Sequence, residues 1–413
     1  MDRARAPPRG RQSVSRQLVA TACPACGNPQ MDVFFRQQAI PTNSCLLLDT
    51  RQEAEDFPRG DLELGFCHCC GFLSNVVFDA AEYSQRYEET QGFSKVFVEW
   101  AQGLAARWVD KYDLRGKRVL EIGCGKGEFL VWMVEAGAGH GIGFDPGVHP
   151  ERIETEVAAD RLTWIKDFYS EQYAHLAADA VVCRHTLEHI APVGEFMRTV
   201  RAAIGDRLET VVLFELPDVK RVLEEVAFWD VYHEHCSYFS LGSLARLFRS
   251  TGFEVLHLEV DYDDQYLLIE ARPSASAPAP GDPLAAEHDL EVLARGVDKY
   301  ASEYDALAQS WKRRLGELRE RGGKAVIWGA GSKGVSYLTN LTNMGMTGEI
   351  EYAVDINPFK WGKFMAGTGQ QIVSPDFLVE YRPDLVVAMN PIYLDEIRAQ
   401  LDTLGLSPEL IGA

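Results

Sequence analysis

The sequence predicts an α/β chain: a parallel-sheet core, a small cysteine-bearing module before it and a second, smaller α/β unit after it. Three observations predict this architecture. Val119–Phe129 passes from a short apolar strand through three alternating glycines into a helix. Two C-x-x-C-G motifs stand upstream, at residues 23–27 and 67–71. Downstream, Lys324–Gly334 repeats the order of strand, glycine loop and helix start. A chain of 413 residues has room for two or three such units. Its 46% hydrophobic residues are enough to fill their cores. The net charge of −20 argues against a nucleic-acid surface, which needs clustered Lys and Arg. No apolar run reaches the ~18 residues of a membrane span.

In chain order, residues 1–20 carry Arg3, Arg5, Arg9, Arg11 and Arg16 with Pro7 and Pro8. They lack an apolar signal core, so a disordered basic tail and a cytoplasmic location are expected. Cys23-Pro24-Ala25-Cys26-Gly27 and Cys67-His68-Cys69-Cys70-Gly71 follow. Each places two thiolates on one tight turn, and two such turns make a tetrahedral four-thiolate zinc site. His68 and Cys69 are alternative ligands, but the matched glycines Gly27 and Gly71 favour Cys23, Cys26, Cys67 and Cys70. Four protein ligands leave no open position, so the Zn2+ is expected to be structural. Between the motifs, Ile40–Asn43 and Leu46–Leu48 read as short strands.

Tyr83 and Tyr87 lead into a helix in which Val96, Phe97, Trp100, Ala101, Leu104 and Trp108 recur at helical spacing. The first glycine loop comes next. Gly123, Gly125 and Gly127 let the chain turn sharply and let a ligand approach bare backbone. The helix behind them presents free N–H groups. Glu121 in front of the loop would repel a diphosphate but suits a ligand with a cationic end. Gly141–Asp145 reads as the next strand. Its acid lies 18 residues beyond Gly127, close to the ~20 at which an acid takes a ribose hydroxyl pair. The stretch resembles the first motif of the class I S-adenosylmethionine (SAM) methyltransferases.

Leu162–Phe168 is a third strand, at whose end Asp167 and Phe168 suit the amino group and the face of an adenine. Ala178–Arg184 is a buried strand running into His185-Thr186-Leu187-Glu188-His189. Strand ends in an open α/β sheet face the ligand crevice, which makes His185 and His189 site candidates. His189 fits a structural role equally well. Val211–Asp218 is a further strand. Phe228–Phe239 then crowds two histidines, two acids and two tyrosines into an apolar run. Its His-Glu-His has the wrong spacing for an H-E-x-x-H zinc helix. Titratable groups among aromatics suit proton transfer.

Pro273–Pro283 is a Pro/Ala/Ser linker. Leu284–Arg321 reads as one or two long helices. The apolar stripe, crowded with Tyr and Trp, fits packing on its own chain better than a coiled-coil dimer seam, so a monomer is expected. In the last unit, Gly329-Ala330-Gly331-Ser332-Lys333-Gly334 fits G-x-G-x-x-G in full. Strands are expected over 351–358 and 384–391. About ninety residues hold only one mononucleotide half, which argues against a full dinucleotide.

The paired C-x-x-C-G, the run Glu121-Ile122-Gly123-Cys124-Gly125, the tetrad Tyr232-His233-Glu234-His235 and the C-terminal glycine loop occur in one order. Over roughly residues 21–410 the chain thereby resembles the three-domain SAM-dependent sugar C-methyltransferases of deoxysugar biosynthesis. The expected partition is a tail over 1–20, a zinc-binding domain over 21–88 and a SAM methyltransferase domain over 89–272. A linker and long helix over 273–322 and a Rossmann-like domain over 323–413 complete it. The resemblance implies an antiparallel pair over 253–255 and 265–270 that closes the SAM domain. It also implies methylation of the carbon beside the ketone of a nucleotide-linked 4-keto-6-deoxysugar. His235 matches the family's general base. Tyr232 and Glu234 match residues lining the same cleft, and Tyr87 matches an active-site tyrosine ahead of the SAM domain. The C-terminal domain is implied to hold the nucleotide-sugar, with Ser332, Lys333, Asn357 and Lys360 as contacts. O- or N-methylation of a sugar or related small molecule is the alternative, distinguished by where the methyl lands.

Overall fold

The structure is a computed structural model and describes residues 12–13, 16–79, 87–88, 90–153, 155–279 and 281–413. Tyr83 lies outside the described residues. Three sheets organise the rest.

The first sheet contains β1 (Gln12–Ser13), β2 (Gln17–Val19), β3 (Met31–Pro41), β4 (Arg59–Phe66) and β5 (Leu73–Asn75), with a short helix α1 (Arg51–Glu55) between β3 and β4. β1 and β2 both pair with β3. Part of the expected disordered tail is therefore strand, and Arg16 anchors it through ion pairs with Asp32 and Asp298. Residues 1–11 and 14–15 lie outside the described residues. β3 is one long strand rather than a short one at 40–43. A bulge interrupts its pairing between Val33 and Phe35, and the adjacent Phe34 and Phe35 both meet Tyr300. The bulge breaks the alternation that would announce a strand in the sequence. Leu46 and Leu48 form only isolated bridges, to Tyr87 and Phe364.

The second sheet follows the helix α2 (Lys95–Lys111). It comprises β6 (Arg118–Ile122), β7 (His140–Phe144), β8 (Leu162–Ile165), β9 (Ala180–Arg184) and β10 (Val211–Pro217). Helices α3 (Glu128–Glu135), α4 (Val193–Ile204) and α5 (Val219–Glu225) lie between and after these strands. A two-residue strand β11 (Ser237–Tyr238) and helix α6 (Leu241–Ser250) precede the closing strands β12 (Phe253–Asp261) and β13 (Tyr266–Pro273). The order is β12-β13-β10-β9-β6-β7-β8. β13 is antiparallel to both neighbours, and the other pairs are parallel. This is the class I SAM methyltransferase fold. β11 pairs with β5 instead, so the first sheet takes a strand from beyond residue 88.

The third sheet holds β14 (Ala325–Trp328), β15 (Ile350–Val354), β16 (Gln371–Val373), β17 (Leu385–Ala388) and β18 (Glu409–Gly412), all parallel. The single helix α7 (Leu290–Glu320) leads into it. α8 (Ser332–Asn343), α9 (Leu378–Tyr381) and α10 (Leu394–Thr403) cover it. The stripe of α7 packs on its own chain. Tyr300 and Tyr304 meet Phe35, while Trp311 meets Tyr337 of α8. No helix among the described residues is long and apolar enough to cross a membrane.

Candidate active site

A cavity of about 1440 Å³ is lined by residues from around all three sheets. On one side lies the first glycine loop, between β6 and α3. Gly123 and Gly125 take positive φ, 67° and 55°. A Cβ on Gly123 would stand 2.0 Å from Thr186 Oγ1, whereas one on Gly125 would meet nothing within 4 Å. The space beside Gly125 is thus left for a ligand. Glu121 is buried at the end of β6, and its Oε2 has no hydrogen-bond partner. Burial raises its pKa to about 8 against the pull of Arg184. Arg184 is itself committed to Glu215, at 2.6 and 2.9 Å, and lies over the Phe129 ring. An orphaned, buried carboxyl oxygen beside an open loop fits the ammonium end of SAM.

Asp145, after β7, accepts from the backbone N–H groups of Gly125 and Gly147 at 3.1 and 2.6 Å. Asp167 accepts from Tyr173 at 2.6 Å, and Phe168 is 62% exposed beside it. All three line the cavity. Gly127 does not. It caps α3 at φ 94° beneath Trp164, whose ring a Cβ would meet at 2.6 Å. Its left-handed backbone is what lets the helix start there.

The opposite wall comes from the aromatic run 228–239. This segment is buried almost throughout, pinned by β11 to the first sheet. His235 is 7% exposed, and its Nε2 lies 3.2 Å from the Tyr232 hydroxyl. Burial, with His189, His185 and Lys333 nearby, holds its pKa well below the ordinary histidine value. The ring is therefore neutral and able to accept a proton. Glu234 accepts from the Ser44 backbone N–H at 3.2 Å, from the Ser44 hydroxyl, and from Ser332 at 3.3 Å. It thus ties the first sheet to the third. Tyr87 also lines the cavity. His185, at φ 44°, faces Glu215 at 2.8 Å and Glu188 at 3.5 Å. Burial lowers its pKa, but those two carboxylates outweigh burial and raise it to about 9.

Ser332, Lys333, Asn357 and Lys360 line the third wall. Each already has an internal partner. Ser332 meets Ser44 at 2.6 Å, Lys333 meets Asp230 at 3.0 Å, Asn357 meets Glu88 at 3.2 Å and Lys360 meets Asp355 at 3.3 Å. Ser44, Glu88, Asp230 and Arg184 escaped the sequence reading. Asp230 stood inside the singled-out run and Glu88 beside Tyr87. Ser44 carried no signal.

The four cysteines lie away from the cavity. Cys23 and Cys70 sulfurs are 3.7 Å apart, Cys26 and Cys67 sulfurs 3.6 Å, and all four lie within 4.8 Å of one another. Gly27 and Gly71 take φ near 75° and donate to Cys23 and Cys67 carbonyls at 2.8 Å in both turns. His68 is 3.0 Å from Asp32 instead, and exposed Cys69 stands outside the group.

A family described as Methyltransferase domain matches residues 94–258, and one described as C-methyltransferase C-terminal domain matches residues 275–406. The C-methyltransferase NovU of Streptomyces niveus is 29% identical over 392 residues, covering 91% of this chain and 90% of that one. The chain is a SAM-dependent methyltransferase, and its C-terminal part matches a C-methyltransferase domain. The methyltransferase is also 27% identical over 110 residues to the ribosomal protein L11 methyltransferase of Yersinia pestis, covering 25% of this chain and 37% of that one. Among solved structures, magnesium protoporphyrin IX methyltransferase from Synechocystis PCC 6803 with bound SAH is 16% identical, with a TM-score of 0.34. That likeness covers 43% of this chain and 84% of that one.

Proposed function

We propose that the methyltransferase adds a methyl group to the carbon beside the ketone of a nucleotide-linked 4-keto-6-deoxysugar, with His235 as the base. One observation carries this reading. His235 is a buried, neutral imidazole, hydrogen-bonded to Tyr232, in a cavity that both glycine loops line. A ketone acidifies its neighbouring C–H, and a positioned neutral imidazole can accept that proton.

SAM supplies a methyl on a cationic sulfur. Glu121 faces its ammonium end, Gly123 and Gly125 admit its backbone, Asp145 takes the ribose, and Asp167 with Phe168 meets the adenine. His185 completes that wall as a cation paired to Glu215 and Glu188. Ser332, Lys333, Asn357 and Lys360 hold the nucleotide-sugar. His235 then takes the proton from the sugar carbon, and the C–H electrons leave an enolate. The hydroxyl of Tyr232 or Tyr87 donates to the enolate oxygen. The carbon forms its new bond to the methyl, the sulfur keeps the electron pair of the broken S–C bond, and the ketone is restored. Short-range orientation of the two partners supplies much of the acceleration. Glu234 holds the walls together through Ser44 and Ser332.

The Cys23, Cys26, Cys67 and Cys70 cluster suits a structural zinc: four sulfurs in one shell leave no open position. Residues 21–88 are the metal-stabilised part, 89–272 the donor part and 323–413 the acceptor part of this reading. The nine cysteines form no disulfide among the described residues, which suits a reducing cytoplasm. The buried stripe of α7 supports a monomer.

Incubation with methyl-labelled SAM and thymidine-diphosphate 4-keto-6-deoxyglucose in heavy water tests the reaction. The expected product carries a new carbon-bound methyl, and ring-proton exchange is lost in His235→Ala. A methyl found on oxygen or nitrogen, or binding without exchange, rejects the enolate route.

A further inference from the structure

Glu188 and His189 sit on a 3-10 turn directly after β9, and His235 sits just before β11. The chain brings these three side chains to one wall of the cavity. One ligand atom from each lies within 4.8 Å of the others. Neither carboxylate oxygen of Glu188 has a hydrogen-bond partner, although the residue is only 2% exposed. Among the described residues the cation paired with it is His185, which is shared with Glu215 and has Nδ1 at 3.5 Å from Oε1. That leaves Oε2 without a partner, and an unmet buried carboxylate oxygen is costly.

His189 adds a second, independent sign. Its Nδ1 lies 3.1 Å from the carbonyl oxygen of Glu234. A carbonyl can only accept, so Nδ1 is the protonated nitrogen of the neutral ring and Nε2 the one with the lone pair. That is the arrangement by which an outer hydrogen bond fixes the tautomer of a metal-binding histidine. The His189 and His235 rings stand nearly perpendicular, with centroids 4.8 Å apart.

We propose that Glu188, His189 and His235 form a second metal centre, for a divalent cation of the zinc and cobalt class. Two imidazoles and one carboxylate suit such borderline ions, at ligand distances of about 2.0–2.2 Å. Three protein ligands leave a coordination position open toward the cavity, unlike the closed four-sulfur cluster. A cation here takes the lone pair of His235 and competes with proton removal. That last consequence rests on His235 being the base; the ligand set does not.

Cobalt(II) titration of the full chain separates the two centres. Cobalt on the four cysteines gives thiolate charge-transfer absorption, whereas cobalt on imidazole and carboxylate gives ligand-field bands without it. Two equivalents are expected in the wild type. Glu188→Gln and His189→Ala should weaken the second equivalent at least about tenfold and keep the thiolate bands, which also report an intact fold. With Zn2+ as the probe, the loaded wild type should lose ring-proton exchange while SAM binding persists, and Glu188→Gln should restore the ratio of exchange with and without zinc toward one. A single thiolate-only equivalent overturns the proposal. So does a second equivalent that both variants retain. The cobalt spectra need no turnover, so they remain decisive even if the sugar reaction fails.

Discussion

Two glycine loops open helices onto the same cavity, and they differ in what stands behind them. The first is backed by Glu121, a buried carboxyl with one oxygen unpartnered, and is followed by Asp145. The second is followed by Asp355, which accepts from Ala330 N–H at 2.9 Å and is met by Lys360. The first loop is left with an unmet electrostatic demand, the second with its charge already answered. Closely similar glycine spacings thus yield a loop that we read as a cradle for a cationic ligand and a brace that holds Ser332 against Glu234. What a glycine loop does is set by the charges that surround it.

The largest expected effect tests the cradle. Gly123→Ala forces a side chain into φ 67° and against Thr186, so SAM affinity by calorimetry should fall at least about 100-fold. Unchanged affinity would show that the loop is not the donor site. The brace comes next. Lys360→Met strips Asp355 of its cation while two backbone N–H groups remain on it. Urea denaturation should register a loss of roughly 2 kcal/mol, below the cost of a fully uncompensated buried charge.

The pH dependence of SAM binding sharpens the contrast further. In the free protein Glu121 is protonated below about pH 8. A ligand ammonium favours the ionised form, so affinity should rise toward pH 8, by up to ~10-fold per unit, and level off above it. Glu121→Gln should flatten that slope. The same raised value means that the folded state resists ionising this group. Its contribution to stability is full below the ordinary carboxylate range and is lost as pH rises through about 8. The smallest effect is the matching control. Gly331 has φ −102° and open space where a Cβ would go, so Gly331→Ala should leave thermal stability and SAM affinity within about twofold.

Much of this was legible because the signals are local. Three alternating glycines, paired C-x-x-C-G turns and an acid at a strand end each declare themselves within a few residues. The partners were less visible. Glu234 reads as one polar residue in an aromatic run, and nothing in the sequence brings Ser44 or Ser332 to it. β11 is two residues long, too short for any periodicity to show. Gly127 shares spacing with Gly123 and Gly125, but nothing in the sequence shows that Trp164 packs where its side chain would stand. The tail looked disordered because its charges were read without Asp32 and Asp298, which receive Arg16. Glu188 did carry a signal, an acid between two histidines, but only the fold brings His235 to it.

The long helix α7 has 31 residues and so reaches about 46 Å. Along that length it offers Tyr300 to Phe35 of the first sheet, Gly296 to Leu223 of α5, and Trp311 to Tyr337 of α8. A chimaera that borrowed one terminal part from a relative would inherit a rod whose grooves were cut for other side chains. The part at either end can be exchanged only together with the matching stretch of the rod. Natural shuffling of acceptor specificity among such enzymes is therefore expected to break within α7 or to take it whole.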